Sequence, residues 1–202
     1  MCRFVESIKL KDGVFYRLKL HQERVNKAFE AFYSKETPIS VFETLNEYAM
    51  PGEGTYKCRI VYDSDVLSVN FAPYIRREIR TLKLVETELE SSAYKLEERT
   101  GFNAAFAQRD DCDDVLLVRN GLLTDSSYSN IALFDGTDWF TPRIPLVYGV
   151  NRAELLAEGK LIQKDITVTN LKNYRQIALF NAMIEFGELV LDLKNFVDVK
   201  IG

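Results

Sequence analysis

Residues 120–152 read NGLLTDSSYSNIALFDGTDWFTPRIPLVYGVNR, a run of short strands whose turns carry an acid, an amide and a Gly-led helix start. Arg119-Asn120-Gly121 turns the chain after a strand over 115–118, since Asn and Gly tolerate the backbone of a tight hairpin. Thr124-Asp125 stands where the next element begins, and Asn130 leads the apolar strand 131–134. Gly149-Val150-Asn151-Arg152 opens a helix over 151–158 that Gly159 ends. Strands this short, turning this often, make the second half of the chain strand-rich.

The first half has a different rhythm. Residues 3–10 and 14–20 flank Lys11-Asp12-Gly13, a hairpin signal. From His21 to about residue 34, Val25, Ala28, Phe29 and Phe32 recur at helical spacing. Ser40-Val-Phe-Glu43 is a capping box for a second helix running through Tyr48. Tyr56, Cys58, Ile60 and Tyr62 alternate as a strand, and Asp63-Ser64-Asp65 turns them into another over 66–71. A strand over 80–85 completes a small α+β domain, residues 1–86. Residues 87–202 form the second domain, entered through a polar linker. In it a helix follows Lys95, with Phe102, Ala105 and Phe106 on one face; residues 110–114 (DDCDD) read as a solvated acidic turn. Segments 160–168, 177–180 and 189–193 read as strands.

Composition removes several kinds of chemistry. A net charge of -4 leaves no basic footprint, so nucleic acid and anionic membrane surfaces are not expected partners. Cys2, Cys58 and Cys112 are odd in number and scattered, which reads as free thiols in a reducing cytoplasm. The charged, alternating start is not expected to be a signal peptide, and no apolar run approaches the roughly 20 residues that cross a bilayer. With one histidine and no cysteine cluster, no metal site is expected. A Ser-His-Asp relay would need His21, which reads instead as a capping or packing residue. Thirteen Phe and ten Tyr suggest aromatic-rich packing and a buried subunit interface.

The succession NG, TD, SN, TP and GVNR resembles the class IV aminotransferases, whose pattern is an N-G turn, T-E, S-N, T-P and G-[IV]-T-R opening a helix. Two further stretches extend the resemblance over nearly the whole chain: His21-Gln-Glu-Arg24-Val matches the family's H-x-x-R-L, and Leu179-Phe-Asn181-Ala-Met183 matches a strand end of its lyase branch. Lys95-Leu-Glu-Glu-Arg99 and Thr141-Pro-Arg143 also lean toward that branch, the aminodeoxychorismate lyases. The resemblance implies an α/β (α+β), two-domain fold-type-IV architecture like that of D-amino acid aminotransferase. Its cofactor would be pyridoxal 5'-phosphate and its assembly a homodimer. Lys95 would be the Schiff-base lysine, and Arg24 the phosphate-binding fork. Asp125 would keep the pyridine nitrogen protonated, and Asn130 would brace its loop. Val150 and Asn151 would offer main-chain N–H groups to the phosphate, and Asn181 would complete the phosphate or substrate side. Arg99, Arg143 and Tyr148 are candidate substrate residues. Taken without the resemblance, Arg24 equally fits a surface arginine, Asn130 a strand-start turn and Asn151 an ordinary helix cap.

Two departures stand out. Asp125 occupies the place of the family's usual Glu, one methylene shorter, and Asn151 replaces its usual Thr. The region after Arg59 lacks the family's Arg-Gly carboxylate trap, which favours a lyase over an aminotransferase of D- or branched-chain amino acids. A non-catalytic relative that binds the cofactor is the third reading.

Overall fold

The computed structural model describes residues 2–34 and 36–193, which form two compact units. The first comprises the chain up to Arg76 together with Ser92–Glu98; the second comprises Arg77–Ser91 and the chain from Arg99 onward. The division thus falls differently from a single cut after residue 86, and the backbone shows why. The Val5 N–H donates to Lys95 O and the Glu97 N–H donates to Arg3 O, each at 2.9 Å, stitching the lysine's segment to the first unit. Leu82–Glu86, by contrast, pairs in parallel with Asp114–Arg119 in the second.

In the first unit β1 (Phe4–Lys11), β2 (Val14–Phe15), β3 (Thr55–Tyr62) and β4 (Val66–Pro73) form an antiparallel sheet ordered β2-β1-β3-β4. Strand alternation places Phe4 and Ile8 of β1 and Cys58, Ile60 and Tyr62 of β3 on one face. There they bury against Val25, Ala28 and Phe29 of α1 (Leu18–Phe32) and Val41 and Leu45 of α2 (Val41–Asn46). The second hairpin strand was expected to run to residue 20. It stops at Phe15 because Arg17 adopts a left-handed φ of 58° and starts α1 at Leu18. Ser40 caps α2 as expected, its hydroxyl accepting from the Glu43 N–H at 3.2 Å.

The second unit contains β5 (Leu82–Glu86), α3 (Thr100–Ala107), β6 (Asp114–Arg119), β7 (Leu122–Ser126), β8 (Asn130–Phe134), β9 (Trp139–Pro142), α4 (Val150–Ala157), β10 (Ile162–Lys164), β11 (Gln176–Phe180) and β12 (Val190–Asp192). Its sheet runs β10-β9-β8-β7-β6-β5, and β11 pairs with both β8 and β12. Asn120 and Gly121 turn β6 into β7 with φ of 51° and 74°, the left-handed pair that an Asn-Gly hairpin uses. The long strand expected over 160–168 is only β10; a 3-10 turn capped by Thr167 follows it over Val168–Asn173. The acidic turn is less solvated than expected. Asp114 is fully buried, and the Asp113 carboxylate accepts from the Arg80 and Thr81 N–H groups and fixes the entry to β5. Among the described residues no helix is long and apolar enough to cross a membrane.

Candidate active site

Glu6 lies on the inner face of β1, where its neighbours Phe4 and Ile8 are apolar. A carboxylate there has to be paired, and α1 supplies the partners one turn apart. Arg24 Nε donates to Glu6 Oε1 at 2.8 Å, its Nη2 donates to Oε2, and His21 Nδ1 bonds Oε2. Burial alone would raise the Glu6 carboxyl, but the Arg24 charge and the His21 hydrogen bond outweigh it and hold the group at about 2. Burial pushes His21 below its ordinary value, against the pull of Glu6. Arg24 is therefore neither a surface arginine nor wholly exposed to a ligand. One edge of its fork holds Glu6, and the guanidinium has further N–H groups beyond that edge.

The signs for stability follow directly. Glu6 is depressed to about 2 from 4.5, so its contribution is present above pH 4.5 and lost as pH falls toward 2. His21, also depressed, adds stability above its unfolded value that fades on acidification. Glu6→Gln should cost about 3–5 kcal/mol, because it leaves the buried Arg24 charge without its carboxylate. Denaturant unfolding checks this, and the variant should lose much of the wild-type slope below pH 4.5.

On the opposite face of the same sheet, Lys95 Nζ donates to Ser7 Oγ at 3.2 Å. The lysine is half-buried, and its backbone is fixed to β1 by the hydrogen bonds described above.

In the second unit the acid and the helix start are joined. Asp125, 3% exposed, accepts on Oδ2 from the Leu146 and Val147 N–H groups at 2.7 and 3.0 Å. Asn130 Nδ2 donates to Asp125 Oδ1 and to Val147 O, both at 2.8 Å. The turn that holds the acid thus leads straight into Gly149, the N-cap of α4, which has no side-chain cap. Its first N–H groups, at Val150 and Asn151, have no intrahelical acceptor and form the positive end of the helix dipole. Burial pushes the Asp125 carboxyl up to about 6, against the donors from Asn130, Val147 and Leu146. Among the described residues no cation stands in ion-pair range of it; Arg152 acts only as a more distant charge.

Gly149 is required by close approach, since a Cβ there would overlap Asn130 Oδ1. Gly149→Ala should displace Asn130, destabilise the protein by about 1–3 kcal/mol and weaken anion binding at α4. Thermal unfolding and a phosphate titration read the two effects separately.

The remaining residues divide clearly. Asn151 directs both Nδ2 hydrogens to Asn181 O and Ile184 O, so only its main-chain N–H is available to an anion. Asn181 is occupied by the protein: its Oδ1 accepts from the Met183 and Ile184 N–H groups, and its Nδ2 donates to Tyr128 O and Ser129 Oγ. Both residues lock the 181–184 turn to α4 and to the loop after Asp125. Arg99 donates to Ser127 O at 2.5 Å and lies over the Phe102 ring. Arg143 is exposed and pairs with Asp165 at 3.1 Å, a surface contact that gives it no evident substrate role. Tyr148 is 41% exposed, with the Arg152 guanidinium over its ring. A recess of about 860 Å3 lined by Leu84, Val118, Leu122 and Thr167 includes none of the expected site residues.

Sequence reasoning missed Glu6, Ser7 and Arg152. Glu6 was detectable as the one charge in the inward register of β1. Arg152 is 3% exposed and clamps the end of β9 through Thr141 Oγ1 and Pro142 O, a contact that follows from no local pattern.

The first unit carries an amine on a sheet face; the second joins a buried acid, with no cation in ion-pair range among the described residues, to a helix start without a side-chain cap. Comparison with known proteins identifies the family. Residues 75–188, more than half of the chain, match the family model for amino-transferase class IV. A solved Haemophilus somnus protein, a "putative 4-amino-4-deoxychorismate lyase", is 30% identical with a TM-score of 0.84, covering 92% of this chain and 98% of its own. An uncharacterised Haemophilus influenzae protein is 29% identical over 181 residues, 88% of this chain and 96% of its own. A Schizosaccharomyces pombe "putative aminodeoxychorismate lyase" is 34% identical over 82 residues, 38% of this chain and 36% of its own. The chain belongs to the class IV aminotransferases, a family of pyridoxal phosphate-dependent enzymes.

Proposed function

We propose that this chain is a pyridoxal phosphate-dependent lyase that converts 4-amino-4-deoxychorismate to 4-aminobenzoate and pyruvate, a step serving folate synthesis, and that it works as a homodimer. The observation that carries the cofactor assignment is the Asp125–Asn130–Val147 bracket. It fixes a buried carboxylate, lacking a cation among the described residues, to the turn from which α4 presents its first N–H groups. A cationic ring nitrogen suits the first feature and a phosphate the second. Support for the lyase reading comes from the 30% identical relative and from the missing Arg-Gly after Arg59.

When bound, the cofactor supplies an electron sink for bond cleavage beside the substrate's amine-bearing carbon. Lys95 Nζ would hold the cofactor and then, as a free amine, take the proton from that carbon and pass it to the departing three-carbon group, because the same carbon in 4-aminobenzoate carries no hydrogen. Ser7 Oγ, which accepts from Nζ, keeps the amine on the outer face of β1. Asp125 would keep the ring nitrogen protonated, and Asn130 would hold Asp125 in register. The Val150 and Asn151 N–H groups would take the phosphate, a role that the Arg24 N–H groups not held by Glu6 also suit. Asn181 would support this side indirectly, by holding the 181–184 turn against Asn151. The products together contain every atom of the substrate, so no co-reactant is needed.

The test is to supply cofactor-loaded protein with enzymically generated aminodeoxychorismate and to follow both products. Equal release of 4-aminobenzoate and pyruvate is expected. No product from a loaded protein would transfer the assignment to transamination of amino acids.

A further inference from the structure

The face of the four-stranded sheet that carries Lys95 is strongly basic. Alternation along β1 and β3 puts Ser7 and Lys9 on that face beside Lys57 and Arg59, with Ser7 directly opposite Arg59 and Lys9 directly opposite Lys57. Directly opposed residues of antiparallel strands stand about 5 Å apart at Cβ. Ser7 is also the residue that Lys95 Nζ reaches, so Arg59 is one strand away from the amine. Lys9 is only 6% exposed, which fixes a further basic side chain along the same row. Arg59 itself pairs with Glu97, two residues beyond Lys95, which receives Arg59 Nη2 at 2.8 Å. That pair is open to water, with side chains 36% and 29% exposed. An ion pair that water still reaches is weak, so exchanging its carboxylate for that of a ligand is easy.

We infer that Arg59 is the substrate-binding cation of this chain: it leaves Glu97 for a carboxylate of the substrate, and Glu97 competes for it when the site is empty. This rests on the proposed function and deepens it. It supplies a carboxylate anchor on β3 in a chain that lacks the Arg-Gly trap, and it selects amines that carry a carboxylate. Lys9 and Lys57 add to the attraction without needing to touch the ligand.

The two partners predict opposite outcomes, which a merely structural ion pair would not give. Cofactor-loaded protein is titrated calorimetrically with maleate, a dicarboxylate without an amine. Arg59→Gln should weaken maleate binding about tenfold, the value of one charge-assisted hydrogen bond. Arg59→Lys should recover part of that loss, and Glu97→Gln should tighten binding severalfold by removing the competitor. Visible absorbance of the bound cofactor should be the same in all of them. Loss in both the Arg59→Gln and Glu97→Gln proteins, no change in either, or no maleate binding by the wild type would overturn the inference. Failure of the wild type to load cofactor is seen before maleate is added, and it would overturn the underlying reading and this one together.

Discussion

Lys95→Ala should abolish turnover and remove the visible absorbance of a lysine-bound cofactor, while the protein still folds. The side chain is half-buried and donates to Ser7 Oγ at 3.2 Å. The segment is kept in place by main-chain bonds from Val5 and Glu97, which alanine preserves. The chemistry has no such redundancy. An amine that both carries the cofactor and moves the proton has no substitute nearby, because Lys9 and Lys57 lie further along the same face. Absorbance spectra and product assays separate the two effects. A colourless but active variant would break the link between carrier and catalyst. A coloured variant would place the covalent bond on another lysine.

Asp125→Asn should slow turnover by about a hundredfold or more, the scale of a preorganised charge lost from a buried site, while retaining most cofactor binding. The geometry sets this split. Asn keeps one oxygen for the Leu146 and Val147 N–H groups, so the turn into α4 and its phosphate donors persists. It cannot supply a charge to the ring nitrogen, and its amide would oppose Asn130 Nδ2, which now donates to Asp125 Oδ1. The pH dependence runs the same way. Burial raises the carboxyl to about 6, so in cofactor-free protein its ionisation works against folding as pH rises through that value. A cationic ring removes that cost. Cofactor should therefore stabilise the wild type more at pH 8 than at pH 5, and Asp125→Asn should flatten the difference. Melting curves with and without cofactor check this, and parallel shifts in both proteins would place the ring nitrogen elsewhere.

Much of this was legible in the chain. Alternation in 56–62, the Ser40 capping box and the Asn120-Gly121 turn are local signals, and each appears where its residues require. The Gly-led start of α4 and the acid before Asn130 were readable for the same reason: turn chemistry lies in neighbouring residues. What escaped depends on pairing across the fold. The strand expected over 14–20 failed at one left-handed residue, Arg17, that propensity does not mark. Residues 95–97 join the first unit through main-chain bonds, which leave no side-chain period. Asn181 was expected to complete the phosphate or substrate side; that its amide also holds the 181–184 turn, through main-chain and hydroxyl partners at both ends, is visible only in the fold.

The most direct test of the central claim is to load the purified protein with pyridoxal phosphate, reduce it with borohydride and map the modified peptide by mass spectrometry. A single phosphopyridoxyl group on Lys95 is the expected result. Modification confined to another lysine, or none at all, would contradict the assignment of Lys95 and of the cofactor chemistry built on it.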